Sequence, residues 1–154
     1  MNMDKEFKVL LVEDNPDHAF IAKMALKKLN QISSVDHVID GGKALNYLFN
    51  DQASAEVLPN LTILDLNLPE IDGFEVLKEI RNHEVLRDIP VVVLTTSRND
   101  SDVRQAIELG IIEYFVKPLN VNRLGEILDS LGKIGKLKNK SKDNLNWRTM
   151  SFIN

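Results

Sequence analysis

Four polar clusters stand where apolar runs stop. Glu13-Asp14 follows Lys8–Val12, Asp65 follows Leu61–Leu64, Thr95-Thr96 closes the run that starts at Val91, and Lys117 follows Ile111–Val116. Three carboxylates brought together repel one another, and the pKa of each rises unless a cation neutralises the group. A hard, all-oxygen cluster with open water positions suits Mg2+, or Mn2+ in its place. With the cation bound, Asp65 stays ionised and keeps one oxygen free. Such an oxygen can attack phosphorus and form an aspartyl phosphate. A phosphoryl group in transfer spreads negative charge over three oxygens, and it needs a metal, an ammonium and hydroxyl or N–H donors around it. Mg2+, Lys117 and Thr95 supply these.

The clusters meet only if the runs that carry them are parallel strands of one sheet, with all carboxyl ends on one edge. The chain predicts this. Apolar, β-branched runs at 8–12, 34–39, 61–65, 91–95 and 111–116 alternate with helical periodicity at 16–30, 43–50, 74–82, 100–109 and 120–133. Asn15 before Pro16 reads as a cap with proline at the first helical position. Gly110 closes the fourth helix. Alternating strands and helices imply a doubly wound (βα)5 domain, with right-handed crossovers and helices on both faces. Ligands of such sheets sit at the carboxyl ends of the strands.

Taken singly, each cluster has an ordinary explanation. Glu13-Asp14 suits a helix entry, Thr95-Thr96-Ser97 a helix start, and Lys117-Pro118 a turn. These do not explain why all four fall at the ends of alternate elements. Asp65-Leu-Asn67 also opens like a calcium loop, but Pro69 and Glu70 take the fifth and sixth positions, where an oxygen ligand and a glycine are needed.

Composition narrows the field. The 154 residues suit one domain, and 44% hydrophobic residues suffice for a core. No cysteine is present, which excludes disulfides and thiolate chemistry. His18, His37 and His83 are scattered and form no metal-binding pair. No apolar stretch approaches the ~18 residues of a membrane span. The N-terminus is acidic and leads into a strand, so a cytoplasmic location is expected. The net charge of −4 hides a split: residues 133–154 carry six basic residues against one acid, Asp143, and the rest is acidic. An acidic body does not suit nucleic-acid binding, and the tail offers only Trp147 and Phe152 for stacking.

Val12-Glu13-Asp14-Asn15, Asp65-Leu-Asn-Leu-Pro69 with Asp72-Gly73, Leu94-Thr95-Thr96-Ser97 and Lys117-Pro118 together resemble the receiver domain of two-component response regulators. The resemblance spans roughly residues 7–132 with motif order intact. Its wording is most similar to the single-domain regulators that partner phytochrome-type histidine kinases. It implies a flavodoxin-like strand order of 2-1-3-4-5, with Asp65 as phosphoacceptor. Asp14 and Asp65 would ligate Mg2+ with the backbone carbonyl of Asn67 and, through water, Glu13. Lys117 would pair with the phosphoryl group next to a cis bond to Pro118. Thr95 would be the switch hydroxyl, and Tyr114 the aromatic that turns inward. The donor would be a sensor histidine kinase or a phosphotransfer protein, and the output a changed protein contact.

The expected protein is thus a stand-alone phosphoreceiver over residues 1–135. It would catalyse only its own phosphorylation and slow dephosphorylation. One alternative is a phosphatase or phosphotransferase with an aspartyl nucleophile, which needs a general acid two residues on; Asn67 stands there. Another is a docking module that is never phosphorylated. The tail is expected to comprise a mobile linker, Lys136–Asn144, and an apolar end, Leu145–Ile153. That end would pack on the domain itself or on a second copy across the face of the fourth helix, fifth strand and fifth helix, giving a homodimer.

Overall fold

The computed structural model describes residues 7–49 and 58–141, with 133–141 as helix backbone only. Five strands, β1 (Phe7–Val12), β2 (Ile32–Val38), β3 (Leu61–Leu64), β4 (Val91–Thr95) and β5 (Glu113–Val116), pair in parallel in the order β2-β1-β3-β4-β5. The helices are α1 (Pro16–Leu26), α2 (Gly41–Leu48), α3 (Gly73–Asn82), α4 (Asp100–Glu108) and α5 (Val121–Ser141). A short 3-10 turn, Leu86–Asp88, precedes β4.

Strand alternation builds two main cores. Val9, Leu11, Ile63, Val92, Leu94 and Phe115 face α1 and α5, where Ala22, Leu26, Leu124 and Leu128 meet them. Leu10, Val12, Leu64 and Val91 face α2 and α3, against Ala44, Leu48, Leu77 and Ile80. The central strands are therefore apolar at almost every position, as a sheet covered on both faces requires. Thr62 of β3 is one exception: it is fully buried and its hydroxyl has no partner.

Side-chain caps fix where each loop ends. Asn15 Oδ1 accepts the Asp17 and His18 N–H groups at 2.9 and 3.1 Å. Asp72 Oδ1 accepts the Glu75 N–H at 3.0 Å, and Asn99 Oδ1 the Ser101 N–H at 2.9 Å. Each satisfies a donor that the helix itself leaves unpaired. Arg81, at the end of α3, donates to the carbonyls of Arg87, Ile89, Leu109 and Gly110 at 2.8–3.0 Å. It ties α3 to the entry of β4 and to the turn after α4.

Some boundaries differ from the sequence expectation. Helix α1 stops at Leu26 rather than Asn30, because the Lys28 and Leu29 N–H groups bond three residues back and tighten the chain into a turn. Leu29 still packs on the core, which is why the periodicity runs past the helix end. Ile111 and Ile112 precede β5, although the Ile112 N–H still reaches the Val91 carbonyl. Helix α5 passes through Gly132 and Gly135 to Ser141, so the expected linker begins inside a helix. Each glycine costs a helix ~1 kcal/mol against alanine without ending it. Residues 142–154, including the apolar end of the tail, lie outside the described residues.

Candidate functional site

The sheet ladder continues one residue beyond three of its strands, and those residues are the predicted ones. The Glu13 N–H bonds to the Val38 carbonyl at 3.1 Å, the Asp65 N–H to Val12 at 3.1 Å, and the Lys117 N–H to Thr95 at 2.8 Å. Each side chain thus leaves from a pinned backbone onto the carboxyl edge. Helix α3 presses on the same edge. A Cβ on Gly73 would lie 2.3 Å from the Asp65 carbonyl oxygen and 2.6 Å from the Leu66 Cα, an approach only glycine permits.

Lys117 is the hub. Its ammonium lies 2.5 Å from Glu13 Oε1 and 2.8 Å from Asp65 Oδ2. Glu13 and Asp65 are 3% and 5% exposed, so these are buried contacts. The other oxygens are also held: Glu13 Oε2 accepts the Asn15 N–H and Asp65 Oδ1 the Asn67 N–H, both at 3.0 Å. Burial pushes the Glu13 carboxyl above its ordinary 4.5, against hydrogen bonds from Lys117 and the Asn15 N–H. Burial disfavours the Lys117 ammonium as well, but its bonds to Asp65 and Glu13 outweigh that and hold it above 10.5. The two shifts are compatible because Lys117 is shared: it gains two carboxylates, whereas Glu13 gains half a cation and meets the charge of Asp65.

Asp14 completes the acidic group. One carboxylate oxygen each from Glu13, Asp14 and Asp65 lies within 4.8 Å of the others. Asp14 is exposed and forms no hydrogen bond or ion pair among the described residues. Two engaged, buried carboxylates beside one free, solvent-facing carboxylate fit a hydrated hard cation.

The remaining predicted residues form a second layer. Thr95 is buried, and its hydroxyl oxygen accepts weakly from Asn67 Nδ2 and the Ser97 N–H, both at 3.4 Å. Tyr114 is half-buried, and its hydroxyl donates to the Ser97 carbonyl at 3.0 Å. Burial raises the Tyr114 pKa against that bond. Ser97 Oγ in turn donates to Asp102 of α4 at 2.6 Å. The chain Asn67–Thr95–Ser97–Tyr114 therefore links the loop after Asp65 to β5 and α4. The Lys117–Pro118 bond is cis, as the resemblance implied.

One contact escaped the sequence. His18 Nδ1 lies 2.9 Å from the Lys117 ammonium. The signal was positional: His18 sits one turn into the helix that starts at the tip of β1, above the carboxylates.

This edge of paired acids, a shared lysine and a buried threonine on a doubly wound sheet defines a class. A profile of the response regulator receiver domain matches residues 9–129, and the chain belongs to that family. Among individual proteins, it is similar to the response regulator Rcp1 of Synechocystis sp., 40% identical over 129 residues, which are 80% of this chain and 84% of Rcp1. It is equally similar to a protein of Methanothrix harundinacea named as a probable methanogenesis regulatory protein, FilR2, at 39% over 131 residues, 85% of this chain and 84% of FilR2. The crystal structure of the phosphorylated cyanobacterial phytochrome response regulator RcpA superposes with a TM-score of 0.66 at 37% identity, covering 84% of this chain and 93% of RcpA. The Mn2+-bound form of Rcp1 gives 0.64 at 37% identity, covering 84% and 94%.

Proposed function

We propose that Asp65 accepts a phosphoryl group from the phosphohistidine of a sensor histidine kinase or phosphotransfer protein. An Asp65 oxygen attacks phosphorus, the P–N bond breaks, and the imidazole leaves. The observation that carries this reading is the buried Asp65 carboxylate, pinned by Lys117 on one oxygen and the Asn67 N–H on the other. Lys117 is placed to follow the transferred charge. Asp14 and Asp65, with the Asn67 carbonyl and Glu13 through water, would hold Mg2+ or Mn2+, which neutralises charge on the phosphoryl oxygens. The Mn2+-bound form of Rcp1 supports the metal.

Asn67 is tied to Thr95 and is no general acid, so the group is transferred to the protein rather than turned over on a substrate. Thr95 would reach the phosphoryl group once it is in place, and its movement would free Tyr114 to turn inward. The relatives named as phytochrome regulators support a phytochrome-type kinase as partner. Among the described residues no helix is long and apolar enough to cross a membrane, which agrees with a cytoplasmic setting.

Incubation with acetyl phosphate and Mg2+ tests the assignment. The chain gains about 80 Da and Asp65→Asn gains nothing. An Asp65→Asn variant that labels at the wild-type rate overturns it.

A further inference from the structure

An ammonium has three N–H donors and no acceptor. Those of Lys117 meet three acceptors: Glu13 Oε1 at 2.5 Å, Asp65 Oδ2 at 2.8 Å and His18 Nδ1 at 2.9 Å. Facing a pure donor, Nδ1 is the acceptor of this contact. The backbone of His18 is fixed too, because its N–H is one of the two bonded by the Asn15 cap. The ring and the Lys117 side chain both line a cleft of about 230 Å3, with Thr96, Pro118 and Leu119 among its other walls. His18 and Lys117 thus meet at the wall of one cleft.

We propose that His18 is a positioning residue for phosphoryl transfer: it holds the third N–H of Lys117, so that the ammonium pivots from Asp65 to the phosphoryl group instead of swinging away. The inference rests on the phosphoacceptor reading above. When a phosphoryl group arrives, Lys117 must turn one N–H from Asp65 Oδ2 towards a phosphoryl oxygen. With Glu13 and His18 as two fixed anchors, the third donor has one direction left. Without the imidazole, water in the cleft that both residues line takes its place on the ammonium. Water satisfies the donor but does not fix its direction, and misplaced electrostatic groups lose most of their effect on a transition state.

The test compares wild type, His18→Ala and His18→Asn in acetyl phosphate with Mg2+, read by intact mass, with Mg2+ affinity measured by calorimetry. Asparagine can place Oδ1 where Nδ1 stands, so it restores the acceptor without the ring. The expected result is a maximal labelling rate at least about fivefold lower in His18→Ala, recovery to within about twofold in His18→Asn, and unchanged Mg2+ affinity in both. A second readout needs no phosphodonor: the 15N signal of the Lys117 ammonium shifts or broadens in His18→Ala and is retained in His18→Asn. The proposal is overturned if His18→Ala labels at the wild-type rate, if His18→Asn is as slow as His18→Ala, or if either variant weakens Mg2+ binding. A wild type that takes no label overturns the phosphoacceptor reading and this inference with it. A labelled wild type with an unaffected Ala variant overturns the inference alone.

Discussion

Replacing Lys117 with methionine keeps most of the side-chain volume and removes the cation. Two buried carboxylates, Glu13 and Asp65, then face each other with oxygens no more than 4.8 Å apart. At an effective dielectric of about 20, unit charges at that distance repel by ~3.5 kcal/mol. The protein can escape by protonating one of them. From the ordinary glutamate value of 4.5, that costs about 4 kcal/mol at pH 7.5 and about 1.4 kcal/mol at pH 5.5, at ~1.36 kcal/mol per unit. The loss of stability is therefore about 3–4 kcal/mol at pH 7.5 and falls to about 1–2 kcal/mol at pH 5.5. The sign follows from Glu13. Its folded pKa is already raised, so its ionisation costs stability as pH rises through that value. Losing the Lys117 bond raises it further. In wild type the Lys117 contribution is full below its ordinary 10.5 and is lost only as pH rises through its higher folded value. Urea unfolding without divalent cations, at both pH values, measures the difference. Mg2+ at 1–10 mM narrows the gap by supplying the missing charge, on the order of 1–3 kcal/mol. A Lys117→Met variant as stable as wild type at pH 7.5, or equally destabilised at pH 5.5, would refute this electrostatic account.

Three further outcomes are expected. Thr62→Val removes a buried hydroxyl without a partner and stabilises the domain by about 1 kcal/mol in the same urea assay; a loss of stability would reveal a hydrogen bond to that hydroxyl. With a beryllofluoride mimic bound, the Tyr114 hydroxyl leaves the Ser97 carbonyl and the ring turns inward, visible by crystallography as a rotamer change; the same rotamer with and without the mimic rules out the rotation. Truncation after Ser141 keeps helix α5 and removes the apolar end of the tail. Sedimentation at micromolar concentration is expected to show a dimer before truncation and a monomer after it, and equal masses would sink the tail-assisted dimer.

The order of the elements and the location of the site were legible because strand burial leaves little freedom in sequence. Leu61–Leu64 and Val91–Leu94 admit no polar face, so the first carboxylate after the β3 run, Asp65, had to sit at a tip. Glu13, Asp14, Asp65, Thr95 and Lys117 could be assigned to one edge of the sheet for the same reason. What stayed hidden depends on side chains reaching across elements far apart in sequence. His18 belongs to α1 and Lys117 to the end of β5, and no local pattern joins them. Arg81 drew no notice in the sequence, yet it bonds carbonyls from two separate loops. Gly73 was visible only as a turn residue, because its role is the closeness of α3 to the Asp65 backbone. Helix ends were blurred where packing and helicity part company, as at Leu29.

The central claim is that the phosphoryl group rests on Asp65. An acyl phosphate is reduced by borohydride to an alcohol, so trapping the labelled chain converts the acceptor aspartate to homoserine. Peptide sequencing of chain labelled in Mg2+ is expected to place homoserine at position 65 and nowhere else, with none formed in excess EDTA. Homoserine at Asp14, label retained on a histidine, or trapping that proceeds fully in EDTA would contradict the account.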